Sequence, residues 1–124
     1  MIEPPRPLTI LCVDDDEQIR RAIEAMLRRL GYEVTSVADV KSAVQSLGAS
    51  RFDLVITDMQ MPMLGGMDLL DLMRQDGDET PVLMLTGHGT IEQAVVAIKA
   101  GAASFLTTPV TVDQLALTVE QALA

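Results

Sequence analysis

A chain of 124 residues, 48% of them hydrophobic, has the length of one compact domain and enough apolar material for a buried core. Its formal charge of −9 argues against the basic stripe that a phosphate backbone demands, so direct nucleic-acid binding is not expected and a cation or a basic partner fits better. No run of about 18 apolar residues is present for a membrane span, Met1 to Pro7 lacks a signal-peptide apolar region, and the lone Cys12 excludes an intrachain disulfide, which together imply a cytoplasmic protein with no membrane partner.

After a tail at residues 1–7, the apolar run 8–13, LTILCV, predicts a first strand. Cys12 lies inside it and reads as a small buried hydrophobe. In DEQIRRAIEAMLRRLGY the apolar residues Ile19, Ala22, Ile23, Met26, Leu27 and Leu30 recur at three- and four-residue steps, and Gly31 supplies a stop. That pattern predicts an amphipathic helix. The alternation repeats with YEVTSV then Val40 to Leu47, DLVIT then Leu69 to Met73, PVLML then Ile91 to Ala100, and SFLT then Val112 to Leu123. Five strand-helix units imply right-handed crossovers and a doubly wound α/β domain over residues 8–124, its parallel sheet covered on both faces. The continuous apolar stretches LVI and VLML suit strands buried on both sides. The eight methionines, several of them between Met59 and Met73, are read as core filling.

In such a sheet ligands gather outside the carboxyl ends of the strands, where strand order reverses. The first strand ends in Asp14, Asp15 and Asp16, the third in Thr57 and Asp58, the fourth in Thr86 and Gly87, and the fifth in Thr107 and Thr108 before Pro109. The second, ending in Ser36, Val37 and Ala38, carries nothing chemically pointed. An Asp at a turn is commonplace, and a carboxylate at a helix start is favoured by the helix dipole. One cap needs one side chain, assigned to Asp16, which leaves Asp14 and Asp15 unexplained. If the first and third strands are neighbours, Asp14, Asp15 and Asp58 converge, and a hard divalent cation such as Mg²⁺ would offset their repulsion. A cation there could clamp a phosphoryl group arriving at one carboxylate, with Thr86 and the Gly87 amide donating hydrogen bonds to its oxygens.

The segments ILCVDDDEQIR, DLVITDMQMPMLGGMDLL, PVLMLTGHGT and GAASFLTTPV, in this order and spacing, resemble the receiver domain of two-component response regulators over essentially the whole chain. The resemblance, not the apolar pattern, implies a flavodoxin-like sheet of strand order 2-1-3-4-5 with five helices. It implies Asp58 as phosphoacceptor, Asp14 and Asp15 as the acidic pair holding Mg²⁺ or Mn²⁺, and the Gln60 backbone carbonyl as a further metal ligand. Thr86 resembles the switch hydroxyl and Phe105 the switch aromatic. Pro62 and Gly66 match the turn after the acceptor strand, and Gly65 replaces a residue that is often polar, a neutral change. The family's phosphodonor is a sensor histidine kinase or phosphotransfer protein. Its output passes through the face of helix 4, strand 5 and helix 5 to an attached domain, a partner protein or a second copy. The segment TGHGTIEQAVVAIKAGAASFL is nearest to receivers that precede transcription-activating domains.

One departure bears on mechanism. Immediately before the fifth-strand proline the family carries a lysine, and here Thr108 stands in its place. Threonine donates one hydrogen bond and brings no charge. Lys99 has no evident claim to substitute, and His88 reads as a loop histidine. Two readings follow: a phosphoswitch that assists only its own phosphorylation and dephosphorylation, or a pseudo-receiver that docks or dimerises without phosphorylation. Turnover of an external substrate by an Asp-nucleophile hydrolase is disfavoured, because Gln60 occupies the place of that class's second acid.

Overall fold

The alternation of apolar runs and helical periods becomes, in the computed structural model, an uninterrupted series of strands and helices; residues 6–87 and 89–124 are described. The order is β1 (Thr9–Val13), α1 (Glu17–Arg29), β2 (Glu33–Val37), α2 (Val40–Ala49), β3 (Leu54–Asp58), α3 (Gly66–Gln75), β4 (Val82–Thr86), α4 (Ile91–Lys99), β5 (Ser104–Thr107) and α5 (Val112–Leu123). All strand pairs are parallel and the sheet order is β2-β1-β3-β4-β5, the one the resemblance implies.

Strand geometry divides the core in two. Successive side chains point to opposite faces, so Ile10 and Cys12 of β1 join Leu54, Ile56, Leu83 and Leu85 beneath α1 and α5, where Ile23, Leu27, Leu115 and Val119 meet them. Leu11 and Val13 join Val55, Val82 and Met84 on the other face, under Val40 and Ala43 of α2, Leu69, Leu70 and Met73 of α3, and Ala97 of α4. Cys12 is buried in the first of these clusters. Of the methionines, Met73 and Met84 are buried and Met26, Met59, Met61 and Met67 pack against the core, while Met63 stands fully exposed.

The helix ends follow local chemistry. Asp16 caps α1 by accepting the Ile19 amide at 3.1 Å, and Gly31 closes that helix with a φ of 96°, a conformation costly for any residue with a Cβ. Asp39, Thr90 and Thr111 cap α2, α4 and α5 in the same way. The third helix begins three residues before Leu69, because the Asp68 carboxylate accepts the Gly65 amide at 2.8 Å and secures a first turn that has no apolar period. Strands β3 and β4 run beyond their apolar stretches by two residues and one residue, to Asp58 and Thr86. Backbone pairing is indifferent to side-chain polarity, and the Met59 amide still reaches the Leu85 carbonyl at 2.7 Å. Leu8 falls outside β1 and is partly exposed. In the tail, Arg6 pairs with Asp53 at 3.3 Å. Among the described residues no helix is long and apolar enough to cross a membrane.

Candidate functional site

β1 and β3 lie side by side and run in the same direction, so the aspartates that end them meet outside the carboxyl edge of the sheet, at the reversal of strand order. Asp14, Asp15 and Asp58 each offer a carboxylate oxygen, and these oxygens lie within 4.8 Å of one another. Asp14 is 2% exposed, Asp58 is half-buried and Asp15 faces solvent. They share a crevice of about 260 Å³ with Asp16, Gln60, Thr86, Gly87 and Thr108, floored by Ile19 and Leu85. No Lys or Arg is among its described lining residues. Lys99 ends α4, away from the carboxyl edge, and His88 lies outside the described residues.

Backbone donors meet part of this negative charge. The Asp16 amide donates to Asp14 Oδ1 at 2.9 Å, and the Gln60 amide to Asp58 Oδ1 at 3.2 Å. Arg20, from the first turn of α1, donates its Nη1 to the Asp14 carbonyl at 2.8 Å and so fixes the backbone that carries the acid pair. Burial, with the nearby carboxylates of Asp58, Asp15 and Asp16, pushes the Asp14 carboxyl up to about 6 against the pull of the Asp16 amide. Burial also raises Asp58, helped by Asp15 and Asp16 and opposed by the amides of Gln60 and Met59. Clustered oxygen ligands with uncompensated charge suit a hard divalent cation of the Mg²⁺ or Mn²⁺ kind.

The opposite wall is neutral. Thr86 ends β4 buried, and its carbonyl accepts two hydrogen bonds from Thr108, from the amide at 2.8 Å and from the hydroxyl at 3.3 Å. The Thr108–Pro109 peptide is cis. A Cβ built on Gly87 would stand 3.6 Å from Thr108 Oγ1, so the two residues are neighbours at the rim.

Phe105 does not line the crevice. It pairs across from Met84 and packs against the core beneath α2, α3 and α4. Gly89 connects it to the site: a Cβ there would come within 2.6 Å of Thr107 Oγ1 and 3.0 Å of both Phe105 Cε1 and Thr86 Cγ2. Neither Arg20 nor Gly89 was marked by the sequence pattern. Arg20 is one of four arginines on α1, and Gly89 stands in a loop already rich in glycine.

Comparison with known proteins agrees with this geometry. The family model described as response regulator receiver domain matches residues 10–120. The response regulator protein PilR of Pseudomonas aeruginosa is 41% identical over 113 residues, which cover 91% of this chain and 25% of PilR. The chain thus spans about a quarter of that relative's length. The crystal structure of the receiver domain of NtrX from Brucella abortus superposes with a TM-score of 0.87 at 38% identity, covering 92% of this chain and 97% of that one. Chemotaxis protein CheY4 of Vibrio cholerae superposes with a TM-score of 0.88 at 31% identity, covering 95% and 100%.

Proposed function

Since the chain belongs to the response regulator receiver family, whose general function is phosphorylation-dependent switching, we propose that Asp58 accepts a phosphoryl group with the help of a divalent metal ion. The observation that carries this reading is the convergence of three carboxylate oxygens within 4.8 Å in a crevice with no basic side chain among its described lining residues. Asp14, Asp15, Asp58 and the Gln60 carbonyl would hold Mg²⁺ or Mn²⁺, and the ion, when bound, spreads the negative charge of the phosphoryl oxygens.

The chain's own residues account for the rest. The Gln60 amide, donating to Asp58 Oδ1, orients the carboxylate that acts as the nucleophile. Attack on a phosphohistidine forms the Asp58 O–P bond and breaks the N–P bond, and the departing imidazole takes up a proton. The Gly87 amide and the Thr86 hydroxyl, on the facing wall, donate to the phosphoryl oxygens.

The donor is a sensor histidine kinase or phosphotransfer protein in the cytoplasm. Output runs through α4, β5 and α5 to an attached domain, a partner or a second copy. The exposed apolar stripe Ile91, Val95 and Ile98 on α4 supports that face, as does the greater length of relatives named as transcriptional regulatory proteins. No external substrate is turned over. A second reading, a pseudo-receiver that docks without phosphorylation, is favoured by Thr108, whose hydroxyl is engaged with the Thr86 carbonyl where the family has an ammonium.

Intact-protein mass after incubation with Mg²⁺ and a small acyl phosphate separates the two. A single phosphoryl adduct that disappears in Asp58→Asn supports the phosphoswitch. No adduct from either that donor or a histidine kinase, with Mg²⁺ binding confirmed, supports the pseudo-receiver.

A further inference from the structure

We infer that Thr108 is a phosphoryl-binding residue in its own right: its hydroxyl turns from the Thr86 carbonyl to a phosphoryl oxygen, so that a neutral donor acts where the family uses a cation. The inference rests on the reading of Asp58 as acceptor.

Three observations carry it. Thr108 lines the same crevice as Asp58 and sits at the rim beside Gly87, which lines it too. Its hydroxyl bond to the Thr86 carbonyl is 3.3 Å long, well beyond the usual O–H···O separation of about 2.7–2.8 Å, and is therefore weak. That carbonyl already accepts the Thr108 amide at 2.8 Å, so withdrawing the hydroxyl orphans no buried acceptor. Rotation about the Thr108 Cα–Cβ bond moves the hydroxyl between staggered positions without disturbing the backbone link between β4 and β5 that the Thr108 amide makes. An anion entering the crevice meets no Lys or Arg among the described lining residues, which gives each neutral donor a larger share in holding it.

The test is titration with trifluoroberyllate in the presence of Mg²⁺, a tetrahedral mimic of a phosphoryl group on a carboxylate. Thr108→Val removes the hydroxyl at nearly constant volume, and Thr108→Ser keeps it. The expected result is a loss of affinity of about tenfold in Thr108→Val, the worth of one hydrogen bond, with Thr108→Ser within about twofold of the parent. Equal affinity in Thr108→Val and the parent overturns the inference while leaving Asp58 as acceptor. Equal losses in both variants also overturn it, since packing would then be the cause. If the parent itself binds no trifluoroberyllate, or binds it as well after Asp58→Asn, the acceptor reading falls and this one with it.

Discussion

Replacing Asp14 by Asn isolates the electrostatic cost that the site imposes on the metal-free fold. The amide has the carboxylate's shape and keeps an oxygen for the Asp16 amide, but carries no charge. In the folded protein the Asp14 carboxyl is pushed from 3.8 up to about 6, first by burial and then by its acidic neighbours. At about 1.4 kcal/mol per pKa unit, the ionised group costs the folded state on the order of 3 kcal/mol. The folded chain therefore holds a proton that the unfolded chain has lost. The associated stability is fully present below pH 3.8 and is lost as pH rises through about 6. Urea unfolding followed by circular dichroism, in chelator and across that range, should show wild-type stability falling as pH rises. Asp14→Asn should be about 1–3 kcal/mol more stable than wild type above pH 6, with the pH slope reduced to what the raised Asp58 leaves. Added Mg²⁺ should stabilise wild type, as any ligand of the native state does, and the variant far less. A variant no more stable than wild type above pH 6, and equally stabilised by Mg²⁺, would refute the placement of the acid cup.

Gly66→Ala should destabilise by about 2 kcal/mol or more, because the new Cβ would stand 2.5 Å from the Asp58 carbonyl and 2.9 Å from Met84 Sδ; an unchanged denaturation midpoint would show that α3 can shift off β3 at little cost. Asp16→Ala should cost about 1 kcal/mol by uncapping α1, and a loss below a few tenths would mean that the free α1 amides are served as well by water.

What the sequence makes legible is hydrophobic period, and period settles most of this fold. LTILCV is apolar at every position from Ile10 to Val13, so as a strand its pleat sends Ile10 and Cys12 to one helix layer and Leu11 and Val13 to the other. Where structure is held by backbone pairing or by a cap, period is silent. Hence β3 and β4 run on into Asp58 and Thr86, and α3 starts at Gly66 under the hold of Asp68. Convergence of the three aspartates follows once β1 and β3 are known to be adjacent, a matter of strand order that the family resemblance supplies and apolar spacing does not. The place of Gly89 between Thr86, Thr107 and Phe105 is a close approach of backbone to side chain, and no residue type announces it.

Thr108 shows how the two levels of description differ. By residue type alone it is a deficit, a missing ammonium that weakens both charge compensation and the movement of the fifth strand. In the fold these two losses separate. Compensation is lost, since no Lys or Arg is among the described residues that line the crevice. The mechanical link is kept by groups that owe nothing to a lysine. Thr86 and Thr107 are register partners, the Thr108 amide holds the Thr86 carbonyl at 2.8 Å, and Gly89 is wedged against Thr86, Thr107 and Phe105 together. A displacement of Thr86 toward a phosphoryl group would have to carry the end of β5 with it or break that bond. On the phosphoswitch reading, this chain therefore loses affinity for the phosphoryl group before it loses the route by which that group would be sensed.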